Sequence, residues 1–416
     1  MKSKICFGLF TLFIVCFLPL YIYAQFTYCY KFKPKSKRVD IPFELRNNLI
    51  VIKITINKSD TLNFILDTGL RMNLLTDPQI ANSLGLVYSR KLSIMGFGEE
   101  EPLSAMVSVN NEIDFSGVIG LRQNLVALSE DKLDLSEYVG MPIHGVLGFD
   151  LFGSFVVKID FRSQIITLTD PAKYKYKSRH GQQLPISIED GKPYIMASTT
   201  SLENKEIPLK LILDTGAGHG LLLEMAGNQA IQLPEKTIAR QLGKGLNGTI
   251  YGQEGRIEQF KIGNYSLSSV ITSFPDTNLK SSRIFKNTNR QGNMGCEVMR
   301  RFDVIFNYQK GYVVLKPNKK TFKEPFERDM SGMIVVAKGK NFEKYLVDEV
   351  YVGSPAYLAG VKSGDELLIV NYQTCSYLSL SEINQQMLKG DGKKIAMVIR
   401  RGKEILKVEM VLRRMI

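Results

Sequence analysis

With 416 residues the chain is too long for one ordinary domain, and 44% hydrophobic against 23% charged residues is common globular composition. The formal net charge of +13 is spread along the chain, its densest clusters being pairs such as Lys319-Lys320 and Arg413-Arg414. That predicts a solvated basic surface and excludes a nucleic-acid partner, because no basic stripe is interleaved with aromatics. His144, His180 and His219 are the three histidines, none in His-Glu-x-x-His spacing, so neither a metal nor a cofactor is expected.

The first residues read as an address. Lys2 and Lys4 precede an apolar run over residues 5–23, followed by Ala24-Gln25. This predicts a signal peptide over residues 1–24 and an exported protein, periplasmic or secreted. The run is nearly long enough to cross a bilayer, so an uncleaved leader is the one membrane contact the sequence offers. Cys6 and Cys16 fall inside it. Cys29, Cys296 and Cys375 are odd in number and far apart, which predicts no disulfide framework.

Short strands are expected next. Residues 49–56 are rich in β-branched side chains, Lys58-Ser59-Asp60 turns the chain, and residues 62–66 run into Asp67-Thr68-Gly69. Residues 74–86 suit a short helix, and Gly96, Phe97 and Gly98 a mobile hairpin. A Lys- and Tyr-rich linker at residues 173–179 follows, and then the pattern returns. Asp67 maps on Asp214, Gly148 on Gly295, Phe155 on Phe302, Asp160 on Asn307 and Leu168 on Leu315, each 147 residues later. So constant an offset means a duplicated unit, with lobes expected over residues 40–172 and 180–318. The second hairpin region, residues 243–255, holds five glycines around Tyr251. After Pro317 comes a charged linker. Residues 330–416 lack Asp-Thr-Gly and form a third expected domain, with Ser331-Gly332-Met333-Ile334, Gly353-Ser354-Pro355-Ala356 and a helix from Leu380.

An apolar strand that ends in an unpaired carboxylate is costly unless the acid has a partner or a task. Phe64-Ile65-Leu66-Asp67 and Leu211-Ile212-Leu213-Asp214 end alike, which predicts that each acid is the other's partner. Two carboxyls about 3 Å apart share one proton. The charged one can take a proton from a bound water while the neutral one donates to a substrate carbonyl oxygen. Peptide-bond hydrolysis then needs no metal and no nucleophilic side chain. Thr68 and Thr215 are expected to bond across to the opposite turn, and Gly69 and Gly216 to let each turn pass close to the other lobe. Gly96, Phe97, Gly98 and Tyr251 would form flaps over a peptide or protein substrate. Cys296 reads as a core residue, and His144 and His219, which have no counterpart in the other copy, as packing or rim residues.

Asp67-Thr68-Gly69 with Val146-Leu147-Gly148, and Asp214-Thr215-Gly216 with Asn293-Met294-Gly295, resemble the paired motifs of retropepsin-like aspartic proteases. Two units in one chain are similar to the bilobal arrangement of pepsin. The C-terminal part resembles a bacterial PDZ domain, with Ser331-Gly332-Met333-Ile334 matching its carboxylate-binding loop. The resemblance covers residues 40–416 and implies a mainly-β protein: two homologous β-barrel lobes of the acid-protease fold, then a small α+β PDZ domain at residues 330–416. It implies an exported aspartic endopeptidase of the kind seen in Bacteroidetes-type bacteria, with Asp67 and Asp214 catalytic. It implies as well a C-terminal peptide ligand, or the chain's own Met415-Ile416 tail, at the amides of Gly332, Met333 and Ile334. The first turn departs from the family, since Leu70-Arg71 stands where small hydroxyl residues are usual. A bulky side chain there would narrow the site and a cation would hold Asp67 ionised. An inactive peptide-binding protein with a PDZ scaffold role is therefore the alternative expectation.

Overall fold

The computed structural model describes residues 30–34, 36–96, 98, 100–201, 205–225, 230–276 and 289–416. The expected leader at residues 1–24, Cys29 and the flap residue Phe97 lie outside the described residues. The protein is mainly β. Among the described residues no helix is long and apolar enough to cross a membrane.

The β-branched run Leu49–Ile56 is buried at six of its eight positions and exposes only Lys53 fully, the pattern of a strand with a packed face on each side. Its neighbour Leu62–Leu66 carries the first acid at its end. Six strands close a barrel in the order Val118–Leu128, Asn73–Leu75, Gly145–Leu147, Leu62–Leu66, Leu49–Ile56 and Leu103–Phe115, the last pairing back to the first. The second copy repeats this with Gly248–Ile262, Tyr265–Pro275, Leu221–Leu223, Gly292–Met294, Glu206–Leu213 and Lys192–Thr200. Closure leaves neither barrel an unpaired edge.

Each acid-bearing strand lies parallel to the strand of its later glycine motif. Leu66 pairs with Leu147 in one barrel and Leu213 with Met294 in the other. Glu206–Leu213 alternates between exposed and buried until Lys210 and is then buried at Leu211, Ile212 and Leu213, where it passes between two neighbours. Burying each such side chain stabilises by about 1.5–3 kcal/mol, which fixes where the strand ends and the acid begins.

The halves are joined by one sheet. Gln182–Glu189, Tyr312–Pro317, Phe302–Asn307, Val156–Asp160, Ile165–Thr169 and Arg38–Pro42 lie side by side, and the halves meet where Val157 pairs with Phe306 and Ile159 with Val304. One apolar cluster runs from Ile50 and Phe64 of the first half to Leu213 and Phe306 of the second. Residues 333–411 build a separate six-stranded sheet with its own apolar cluster around Val347, Leu367 and Ile399. Its helix Leu380–Gln386 begins on a capping box between Ser379 and Glu382.

Candidate active site

Thr68 and Thr215 sit at the junction of the barrels, both fully buried. The amide of Thr68 donates to the Thr215 hydroxyl oxygen at 3.0 Å, and the amide of Thr215 to the Thr68 hydroxyl oxygen at 2.9 Å. Each hydroxyl in turn donates across the junction, Thr68 to the Leu213 carbonyl at 2.5 Å and Thr215 to the Leu66 carbonyl at 2.8 Å. Both amides and both hydroxyls of this buried crossing have partners, as low polarity demands. The arrangement holds the two acid-bearing turns in register.

The register brings the carboxyls together. Gly69 donates its amide to Asp67 Oδ1 at 2.6 Å, and Gly216 its amide to Asp214 Oδ1 at 3.0 Å. A Cβ on Gly216 would stand 2.3 Å from the Asp67 carboxyl carbon, and one on Gly69 would stand 3.0 Å from that of Asp214. Both glycines are thus required by the close approach of the opposite acid rather than by unusual dihedrals. Burial pushes the Asp67 carboxyl well above the usual carboxylate range and the charge of Asp214 adds to the rise; the Gly69 amide and Lys192 oppose it. Asp67 therefore keeps a proton where an ordinary aspartate has lost it. Lys192 is itself held below the usual lysine range by burial and by Arg290.

The halves differ behind the acids. Asn293 Nδ2 donates to Asp214 Oδ2 at 2.8 Å, and its Oδ1 lies 2.9 Å from His219 Nε2. In the first half Val146 pairs with Ile65 as Asn293 pairs with Ile212, so an apolar side chain stands where Asn293 stands. His219, expected to be a packing or rim residue, belongs to the second layer of the site. Cys296 is buried, with Sγ 3.4 Å from the Thr215 carbonyl oxygen, and desolvation raises its thiol well above the usual range, so it is a neutral core thiol.

Arg71, of the unusual Leu70-Arg71 pair, does not act as expected. The Arg71 guanidinium turns to Asp190 of the second half at 2.5 Å, and the charges acting on Asp67 are those of Asp214 and Lys192. Leu70 packs against the apolar cluster that includes Val51, Ile65, Val126 and Val146, as do Leu92, Ile94 and Leu246. Its carbonyl accepts from the Phe149 amide at 3.0 Å, as that of Ala217 accepts from Cys296 at 2.7 Å. Asn48 clamps the second turn from the first half, donating to the Gly218 carbonyl at 3.0 Å and to Glu297 at 2.8 Å.

Of the expected flap residues, Gly96 and Gly98 lie at a hairpin tip that meets the tip of the second hairpin. The buried Asn247 is the contact: its Oδ1 accepts from the Gly96 amide, its Nδ2 donates to the Glu101 carbonyl at 2.8 Å, and its carbonyl accepts from the Glu100 amide at 2.9 Å. Tyr251 lies four residues beyond Asn247 on the strand Gly248–Ile262, opposite Gln241, with half its surface exposed. The second hairpin's tip is therefore Asn247, an asparagine between two glycines (Gly245 and Gly248) that the sequence reading passed over.

The loop expected to receive a peptide carboxylate is partly engaged by the chain itself. Gly332 donates its amide to Asp329 Oδ1 at 2.7 Å and Met333 to the Ser331 hydroxyl oxygen at 3.2 Å. The tail reaches this loop with a side chain and not with its carboxylate: a Cβ on Gly332 would stand 3.5 Å from Met415 Cε, while the Ile416 oxygen accepts from Arg256 Nε at 3.1 Å on the second barrel. The strand Met333–Lys338 is also approached by the first half. Lys338 pairs with Glu137, Gly140 abuts Leu380, and Asn47 bonds Ser381 at 3.3 Å. Among the described residues no group of three or more His, Cys, Asp or Glu is placed to hold a metal.

Residues 199–298 match a family model described as aspartyl protease. The matched segment contains Asp214-Thr215-Gly216 and Asn293-Met294-Gly295, and it supports a protease of aspartyl type. No curated protein matches the chain. Among solved structures, a photosystem II D1 C-terminal processing protease is 18% identical with a TM-score of 0.19, over 21% of this chain and 23% of that one. An aminopeptidase N family protein from Idiomarina loihiensis is 17% identical with a TM-score of 0.19, over 24% of this chain and 16% of that one. The chain spans less than a quarter of either protein's length, and likeness at that level assigns neither fold nor activity.

Proposed function

We propose that the chain is an exported aspartic endopeptidase whose two acids, Asp67 and Asp214, share one proton and hydrolyse peptide bonds with a bound water. The observation that carries this reading is the reciprocal Thr68–Thr215 crossing, which delivers one acid from each half to a single site. The raised Asp67 carboxyl, facing Asp214, is the one-proton state that such chemistry needs.

The reaction balances without any added group. The charged carboxylate takes a proton from water as the water oxygen attacks the substrate carbonyl carbon, and the neutral carboxyl gives its proton to the carbonyl oxygen. When the tetrahedral diol collapses, the first carboxyl passes its proton to the departing nitrogen and the second regains its own from a hydroxyl. The C–N bond breaks, leaving an acid and an amine. The meeting hairpin tips at Gly96, Gly98 and Asn247 are read as flaps that open to admit an extended chain and close to exclude water. Export is read from the leader-like residues 1–24. Residues 330–416 are read as a PDZ module that takes a C-terminal peptide by exchanging the Asp329 carboxylate for the peptide's own.

The test is cleavage of an unfolded protein by the purified chain, with and without a statine-type inhibitor that mimics the tetrahedral diol. Cleavage that the inhibitor stops supports the reading. Intact substrate after long incubation, with peptide still bound, returns the chain to the non-cutting alternative.

A further inference from the structure

The two acids are supported unequally from behind. Each acid accepts from the glycine amide of its own turn, but Asp214 accepts as well from Asn293 Nδ2, while the matching position behind Asp67 is Val146. With Nδ2 of Asn293 committed to a carboxylate, its Oδ1 faces His219 Nε2, so that nitrogen carries the hydrogen. His219 is held neutral by burial. The row His219–Asn293–Asp214 thus points every donor at one acid, and a carboxylate that accepts more hydrogen bonds is favoured in its charged form.

We propose that Asn293 and His219 are positioning residues that keep Asp214 the charged, proton-accepting member of the pair and Asp67 the proton donor. The proposal rests on the peptidase reading of the same site and deepens it by assigning the two roles. Other charges face the row without reversing it. Asp214 faces Asp67, Lys192 and Arg290, and His219 faces Arg328 and Glu254, which pair with each other at 3.3 Å.

The experiment follows the carboxyls directly, by 13C NMR titration of aspartate-labelled protein, beside the pH profile of peptide cleavage. In the unmodified chain Asp67 keeps its proton where Asp214 has lost its own. Asn293→Val copies the first half's own residue and moves the first ionisation of the pair upward by about one pH unit, the worth of one hydrogen bond to a charge. Cleavage falls on the acid side and recovers at higher pH, whereas a merely structural loss lowers it at every pH. His219→Phe shifts the profile the same way by less, and His219→Gln, which keeps a donor toward Asn293, restores it. In the Asn293→Val background, Val146→Asn recovers acid-side activity with the two roles exchanged. An unchanged titration in folded Asn293→Val and His219→Phe, or a proton found on Asp214, overturns the proposal. Carboxyls that titrate as stated in a chain that cuts nothing leave the proposal standing and remove the peptidase reading.

Discussion

The Thr68 amide donates to the Thr215 hydroxyl and the Thr215 amide to the Thr68 hydroxyl, at 3.0 and 2.9 Å, across 147 residues of sequence. This crossing ties the two acid-bearing turns directly to each other, beyond the sheet that joins the halves. Thr68→Val strips the Thr215 amide and the Leu213 carbonyl of their partners in a fully buried place. Each orphaned group costs about 1–3 kcal/mol, and each kcal/mol lowers Tm by roughly 2–4 °C. Thr215→Val costs a similar amount, and because the two share one network the double variant loses less than the sum. Thermal unfolding checks this, and Thr68→Ser, which keeps the hydroxyl, stays near the unmodified Tm.

Asp67 gives a signed pH prediction. In the unfolded chain it loses its proton near the ordinary value of about 3.9, whereas in the folded chain burial and Asp214 keep the proton on. From the ordinary value upward the folded state binds more protons, so this group's contribution to stability falls as pH rises toward its raised value. Asp67→Asn removes that loss. It raises Tm at pH 7, leaves Tm at pH 3 unchanged, and abolishes cleavage. Unfolding followed by circular dichroism at the two pH values reads the difference.

Much of this site was legible in the sequence, and the reasons are particular. The constant offset of Asp67 and Asp214 pointed to paired turns, because a duplicated strand end carries its geometry with it. The difference between Val146 and Asn293 was equally visible, yet its meaning depends on which way an amide side chain points, and so does that of His219. The pairing of Val157 with Phe306 joins strands whose order no local pattern encodes. Arg71 is close to Asp67 in sequence but directs its charge elsewhere; its partner, Asp190, lies in the other half, a pairing that no local pattern encodes.

Asn247 latches the two hairpins. Its replacement by Ala removes the side-chain bonds to Gly96 and Glu101, so hydrogen exchange at residues 100–101 and 245–248 accelerates and KM for a peptide rises severalfold more than kcat changes. Gly98→Ala has a stronger effect, since Gly98 has φ +133° and a Cβ there would lie 1.9 Å from the Asn247 carbonyl oxygen. The tips separate in that variant, and exchange at both rises together.

Arg240 and Glu254 form a buried ion pair at 3.0 Å on the second hairpin, and Arg328 of the following linker joins Glu254 at 3.3 Å. Arg240 also lies over the ring of Tyr351 in the C-terminal unit, 4.9 Å from its centroid. Glu254→Gln leaves a buried guanidinium without its counter-charge and costs about 3–5 kcal/mol. Limited proteolysis then cuts the linker around residues 319–329 sooner than in the unmodified chain, because the C-terminal unit has lost this anchor.

The central claim is that one acid from each half makes a single hydrolytic site. Its most direct test is the rate of cleavage of one fluorogenic peptide by the purified chain, by Asp67→Asn and by Asp214→Asn, each shown to be folded. The account predicts that either substitution alone lowers kcat at least about 100-fold, the scale of a lost proton-transfer group, and that the double variant is no worse. Full activity in either single variant would contradict it.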